Sequence, residues 1–305
     1  MRIIFFGTPD FAVASLDALV QSKYDVVAVV TAPDKPAGRG QQIQASPVKV
    51  YAEKMGLHIL QPLKLKDPEF LDTLKSLHAD LQIIVAFRML PEQVWNMPPS
   101  GTFNLHASLL PQYRGAAPIH WTIINGEKET GVTTFFLQHE IDKGDLLFQE
   151  TEPIHPEDTT GDLYERLMKK GANLVVKTTQ AIIDQQIKPQ AQKESLDLKI
   201  APKLTRETGL VHWSKNAEEI YNLIRGMNPF PGAHTLFQGK NCKISSVSPH
   251  AEIIPSLGIG VWDTDQKTYL RVGCADGYIE ILEWQMEGKK RMKIREFLRG
   301  YNFNF

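Results

Sequence analysis

The first half of the chain alternates short apolar runs with stretches of helical spacing. Residues 3–6 are an unbroken apolar run, and Gly7-Thr8-Pro9-Asp10 follows as a turn in which Thr8 or Asp10 can cap a helix. Phe11, Ala12, Leu16, Leu19 and Val20 then recur at helical spacing. Residues 26–30, 81–86 and 102–105 repeat the apolar signature of buried strands, and 132–137 is a further strand-like run. Strands apolar on both faces and separated by helices predict a mostly parallel sheet covered on both sides. Ligands of such sheets sit outside the carboxyl ends of the strands, so chemistry is expected just after Phe6, Ala86 and Leu105.

The pattern breaks twice. Residues 32–42 are rich in Pro, Gly and polar side chains and exceed the ~2–6 residues usual between a strand and a helix. Lys35 and Arg39 make that loop basic, which favours a functional loop over a merely solvated one. A helical stretch over 160–183 closes the first half, after which periodicity fades and Pro189 and Pro202 appear. The expected organisation is a first domain over 1–188, a linker over 189–207 and a second domain over 208–305. In the second, a helix near 217–225 precedes short strands broken by turn signals at 239–241, 263–266, 274–277 and 287–288. Such spacing predicts a small antiparallel barrel.

Composition narrows the class. A chain of 305 residues, 42% hydrophobic and 23% charged, has the balance of an ordinary two-domain globular protein rather than a disordered one. Cys242 and Cys274 match no metal-ligand spacing, so neither a metal site nor a disulfide scaffold is expected, and a reducing cytoplasm is the natural compartment. No apolar run approaches the ~18 residues of a membrane span. Net charge is −1, but from residue 203 onward 14 Lys and Arg face 11 Asp and Glu, which leaves +3 there and −4 elsewhere. Lys289, Lys290, Arg291, Lys293, Arg295 and Arg299 form the dense run; such runs are usually solvated faces, but in a small barrel phosphate contact is favoured.

The densest chemistry is Asn104-Leu105-His106-Ala107-Ser108-Leu109-Leu110-Pro111. Asn104 and His106 are two apart at a strand end, so both side chains point to one side. An amide donor beside an imidazole suits acyl-type transfer: one holds a developing oxyanion while the other handles a proton. On spacing alone a strand-end histidine is more often structural than catalytic. The polar stretch Gln138-His139-Glu140-Ile141-Asp142-Lys143-Gly144-Asp145 follows the 132–137 run and offers a carboxylate to orient His106, or simply a solvated hairpin.

Further motifs are Phe6-Gly7-Thr8-Pro9-Asp10-Phe11-Ala12, Pro36-Ala37-Gly38-Arg39-Gly40, Ser46-Pro47-Val48-Lys49 and Arg114-Gly115-Ala116-Ala117-Pro118-Ile119, beside the 104–111 segment. Asp142-Lys143-Gly144-Asp145, Asn228-Pro229-Phe230-Pro231-Gly232 and Gly288-Lys289-Lys290-Arg291-Met292 continue them. On these segments, along nearly its full length, the chain resembles the methionyl-tRNA formyltransferase family. The resemblance implies an α/β fold: a Rossmann-like, mostly parallel sheet of formyltransferase type with a small C-terminal OB-like β-barrel. It implies 10-formyltetrahydrofolate as co-substrate without a metal, and methionyl initiator tRNA as acceptor, with no membrane and no obligate protein partner. Asn104, His106 and Asp142 take the positions of the family's catalytic trio. Phe87, Arg88, Met89 and Leu90, with Gln138, Glu140 and Ile141, are expected to border the folate. Many relatives carry Tyr-Gly and an aliphatic residue where this chain has Phe87-Arg88-Met89, a change that backbone-mediated contact tolerates. Lys35, Arg39, Ser108, Leu109, Leu110, Pro111, Lys203, Arg206, Lys289, Lys290 and Arg291 are expected to face tRNA. Rival readings are a formyltransferase for a sugar nucleotide or glycinamide ribotide, a formyl-folate hydrolase, and a catalytically silent RNA-binding module. The basic loop and second domain disfavour the other transferases and the hydrolase, and retention of the whole trio disfavours the silent module.

Overall fold

The apolar runs become strands and the helically spaced stretches become helices. The computed structural model describes residues 1–37, 42–193, 197–252, 254 and 257–301. The chain opens with β1 (Arg2–Gly7), α1 (Asp10–Gln21), β2 (Asp25–Val30), the short pair β3 (Lys35–Ala37) and β4 (Gln42–Gln44), α2 (Pro47–Lys54) and β5 (Ile59–Leu60). It continues through α3 (Pro68–Ser76), β6 (Leu81–Val85), α4 (Glu92–Trp95), β7 (Thr102–His106), β8 (Arg114–Gly115) and α5 (Pro118–Ile124). Then come β9 (Glu129–Phe136), β10 (Leu146–Pro153), α6 (Thr160–Ile183) and β11 (Ile200–Ala201). Two compact units result: residues 1–115, 130–152 and 164–199 form one, and 116–129, 153–163 and 200–305 the other.

In the first unit seven strands lie in the order β10-β9-β7-β6-β1-β2-β5. The pairings of β1 with β2 and β6, of β6 with β7, and of β2 with β5 are parallel, while β9 runs antiparallel to β7. The expected mostly parallel, covered sheet is what forms: residues 3–6 and 81–85 are all buried. From β1 the chain moves to β2 and β5, then returns to β6 on the other side. That reversal opens a crevice above the carboxyl ends of β1 and β6, beside Gly7 and Ala86. A Cβ on Gly7 would stand 2.6 Å from the Ala12 Cβ and 2.8 Å from the Phe5 ring, so only glycine lets α1 pack this close to the strand.

The start of α1 differs from the sequence expectation. Neither Thr8 nor Asp10 caps it; Pro9 occupies the cap position, and the Phe11 N–H donates instead to the Tyr164 hydroxyl of α6 at 3.0 Å. A partner 153 residues away does what a local side chain was expected to do.

The second unit contains α7 (Ala217–Gly226), β12 (Ala233–Phe237), β13 (Lys240–His250), β14 (Trp262–Thr264), β15 (Leu270–Gly273), β16 (Tyr278–Met286), β17 (Met292–Lys293) and α8 (Ile294–Leu298). Its sheet runs β12-β13-β16-β15-β14, with β17 on β16, and the pairings of β12 with β13, β13 with β16, β16 with β15, β15 with β14 and β16 with β17 are antiparallel. Register shifts near Ser246 bend β13, as bulges do, and the sheet curls as half a barrel. Trp284, Phe237, Ile279 and Ile281 fill its concave side with Ile220 and Ile224 of α7. A capping box between Asn216 and Glu219 starts α7.

Candidate active site

Strand β7 delivers Asn104 and His106 to the carboxyl edge of the first unit's sheet. Leu105, between them, lies against α6: a Cβ on Gly171 would meet its Cδ2 at 2.7 Å. The pleat therefore turns Asn104 and His106 to the opposite face, together and away from α6. His106 is 7% exposed, and its Nε2 lies 2.9 Å from the Tyr113 carbonyl. A carbonyl only accepts, so Nε2 carries the proton, and Nδ1 holds the lone pair of the neutral ring.

Asp142 sits on the turn between β9 and β10 with a left-handed backbone, φ 53°. Its Oδ2 accepts from the Gly115 N–H at 3.0 Å, two residues beyond the carbonyl that holds His106. No hydrogen bond joins Asp142 to the His106 ring; both are fastened instead to the 113–115 segment. The turn itself is packed hard, because a Cβ on Gly144 would fall 1.6 Å from the Phe136 carbonyl oxygen.

One residue here had no signal in the sequence. The Gln192 amide donates through Nε2 to the carbonyls of Asp142 and Gly144, each at 2.8 Å, and accepts through Oε1 from Arg114 Nε at 3.1 Å and Nη2 at 2.6 Å. Gln190 exchanges two backbone hydrogen bonds with Leu146. Residues 190–192 thus brace the Asp142 turn, although they fall in an aperiodic stretch with no motif. Arg114 anchors this brace, in keeping with a role in the turn after Pro111.

The folate-facing candidates assemble on two neighbouring loops. Phe87 stacks edge-on against Phe6 at 5.7 Å, Leu90 is buried, and Met89 is 73% exposed. On the 138–142 turn Ile141 is 63% exposed, and Gln138 and Glu140 face solvent. His139 ties this turn to α4, its Nε2 3.3 Å from Glu92 Oε1 and its ring edge-on to Trp95. Lys143 pairs with Glu140 and lowers its carboxyl below the usual range. Arg88 donates to the carbonyls of Pro62 and Leu63, just beyond β5. A cavity of about 550 Å³ adjoins it, lined by residues 63–66 and 88–93; Asn104, His106 and Asp142 do not line it.

The remaining candidates scatter. Ser108 is fully buried with its hydroxyl on the Gln112 carbonyl, and Leu110 is buried with its N–H on Thr133. Both shape the turn after β7; Leu109 and Pro111 are half-buried. Lys35 is exposed on β3, whereas Arg39 lies outside the described residues. Lys203, Arg206, Lys289 and Lys290 are exposed, and Arg291 is paired with Glu283. Among the described residues no cluster of His, Cys, Asp and Glu is placed to hold a metal, and no helix is long and apolar enough to cross a membrane.

Known proteins match this arrangement over both halves. Residues 1–179 match the formyl transferase family, and residues 203–302 match the formyl transferase C-terminal domain. A methionyl-tRNA formyltransferase of Azobacteroides pseudotrichonymphae is 52% identical over 312 residues, covering 98% of this chain and 95% of that protein. One from Bacteroides thetaiotaomicron is 48% identical, covering 100% of this chain and 97% of its own. The solved N-formyltransferase of Helicobacter canadensis, complexed with folinic acid and dTDP-3-aminofucose, superposes with a TM-score of 0.68 over 96% of this chain and 100% of that one. At 21% identity that likeness speaks for the fold alone. With half its residues shared along the whole length, the chain belongs to the methionyl-tRNA formyltransferase family.

Proposed function

We propose that this chain transfers the formyl group of 10-formyltetrahydrofolate to the α-amino group of methionyl initiator tRNA, for use in starting translation. One observation carries the reading: the 46–52% identity with methionyl-tRNA formyltransferases spans nearly the whole chain, second unit included. Two solved sugar formyltransferases share the fold at only 19–22% identity.

The neutral methionyl amine attacks the formyl carbon, a C–N bond forms, and the carbonyl electron pair moves to oxygen. The bond from that carbon to folate N10 then breaks. N10 keeps the pair and takes the proton that the amine loses, leaving formylmethionyl-tRNA and tetrahydrofolate. Charge gathers on the former carbonyl oxygen, where the Asn104 amide donates a hydrogen bond. His106, with Nε2–H committed to Tyr113, has Nδ1 free to take the amine's proton and, once protonated, to donate as well. Asp142 balances the positive charge of that imidazolium from the Gly115 side. Folate lies between the 87–90 loop and the 138–141 turn, against the apolar side chains of Met89 and Ile141, while Arg88 is held back by residues 62 and 63. The solved Helicobacter relative holds folinic acid, a close chemical kin of that co-substrate. Lys35, Arg39, Lys203, Arg206, Lys289, Lys290 and Arg291 meet the tRNA. Both substrates belong to the cytoplasm, and so does the enzyme.

The test is formyl transfer by purified protein supplied with 10-formyltetrahydrofolate and methionine charged on initiator or elongator tRNA. Formylation confined to the initiator is expected. Formylation of neither, with folate still bound, would overturn the acceptor assignment and leave the chemistry of the first unit standing.

A further inference from the structure

In the second unit, the segment Asn228-Pro229-Phe230-Pro231-Gly232 links α7 to β12 and holds its only aromatic ring in water: Phe230 is 76% exposed. The backbone beneath the ring is pinned on several sides. His120 Nε2 donates to the Phe230 carbonyl at 3.1 Å, and Lys243 Nζ donates to the Pro231 carbonyl at 3.2 Å. The Gly232 N–H reaches the Met227 carbonyl at 2.9 Å, and Asn228 Nδ2 reaches the Ser245 carbonyl at 3.0 Å. The loop is a fixed mount, and the ring it carries is not part of the core.

One cation, Lys243, lies against the mount. Lys243 on β13 stands opposite His234 on β12 and runs along Gly232, its Cδ 3.5 Å from where a Cβ would be. Arg206 also acts on His234: burial first, then Arg206 and Lys243, push that imidazole below its ordinary range, against a smaller opposing effect of Glu207. Arg206 is exposed. An exposed ring on a fixed loop with a lysine against it suits a ligand that has flat π-faces joined by anionic links.

We propose that Phe230 is a stacking platform for an unpaired base at the single-stranded acceptor end of the tRNA, with Lys243 beside it, and Arg206 by His234, for the flanking phosphates. The inference rests on the tRNA reading above and deepens it: it assigns the second unit a contact with a single strand, not only with the charge of a duplex. Stacking is indifferent to base identity, so the contact holds the end in place without selecting the initiator.

The experiment compares the parent with Phe230→Ala and Phe230→Trp, measuring affinity at fixed salt for initiator tRNA, intact or trimmed of its unpaired 3′ nucleotides. Loss of one stacked base weakens binding about tenfold, so Phe230→Ala is expected to bind intact tRNA that much more weakly, and Phe230→Trp to bind as the parent does. Trimmed tRNA is expected to bind parent and Ala variant alike. Equal affinity of parent and Ala variant for intact tRNA would overturn the proposal, and so would equal weakening on intact and trimmed tRNA. A lower melting temperature of Phe230→Ala matching the affinity loss would also overturn it, by making the ring a packing residue. A parent that binds no tRNA at all would remove the functional reading itself, a different result from any of these.

Discussion

The hydrogen bond from His106 Nε2 to the Tyr113 carbonyl decides which imidazole nitrogen can act as a base. His106→Ala removes both the base and a donor to the oxyanion, and a loss of ~10²–10³ in kcat is expected. The substitution also leaves a carbonyl without its donor at a cost of about 1–3 kcal/mol, so turnover must be compared below both melting transitions. A folded variant with near-parental kcat would take His106 out of the chemistry. Gln192 poses a subtler case. Gln192→Glu keeps an acceptor for Arg114 but sets carboxylate lone pairs against the carbonyls of Asp142 and Gly144. The Asp142 turn should then drift, and because misplacing a catalytic group by ~1 Å costs up to ~10²-fold, kcat is expected to fall roughly tenfold. Affinity for folate and tRNA should hold. An unchanged kcat would show that β9 and β10 position Asp142 without the brace.

At the scale of elements, packing at glycine carries the sharpest expectation. Gly144→Ala would drive a methyl into the Phe136 carbonyl, 1.6 Å away, and only movement of the turn or of β9 can relieve it. A loss of at least about 1–3 kcal/mol is expected, read by thermal denaturation, with activity falling alongside. Asn216→Ala, which opens the capping box of α7, should cost about 1 kcal/mol and leave turnover intact. These elements also mark what the sequence could reveal. Residues 3–6, 81–86 and 102–105 were legible as strands because a buried parallel strand is apolar on both faces, a signal held within the segment. The Asn104 and His106 pair was legible by period two. The partner of the Phe11 N–H, the Asp142–Gly115 contact and the Gln192 brace were not, since their partners lie 153, 27 and 50 residues away in the chain. Nothing in the local composition of either end names the other. Ser108 and Leu110 sit in a motif that marks the site, yet their burial shows they form the turn's interior.

Across the whole chain the charge is uneven, −4 before residue 203 and +3 from there on, and this asymmetry makes salt the natural probe of tRNA contact. Each phosphate neutralised by Lys or Arg releases counterions, steepening the fall of log affinity with log salt by about 0.7–0.9. The dense basic run is not uniform in this respect. Arg291 is paired with Glu283, while Lys289 and Lys290 are exposed and, among the described residues, without an ion pair. If Lys289 and Lys290 meet phosphates, the double variant Lys289→Ala, Lys290→Ala should flatten the salt slope of tRNA binding by about 1.5. Arg291→Ala breaks an internal pair and should flatten it less. Arg39→Ala tests the opposite half: formylation of tRNA should be lost with folate binding retained, because a glycine-flanked arginine acts on the acceptor and not on the folate. The two results separate two kinds of recognition. A flatter slope with initiator preference intact means the second unit contributes affinity, whereas a lost preference with an unchanged slope places selection on the basic loop of the first. A double-lysine variant whose slope equals the parent's would return residues 289–291 to an ordinary solvated turn.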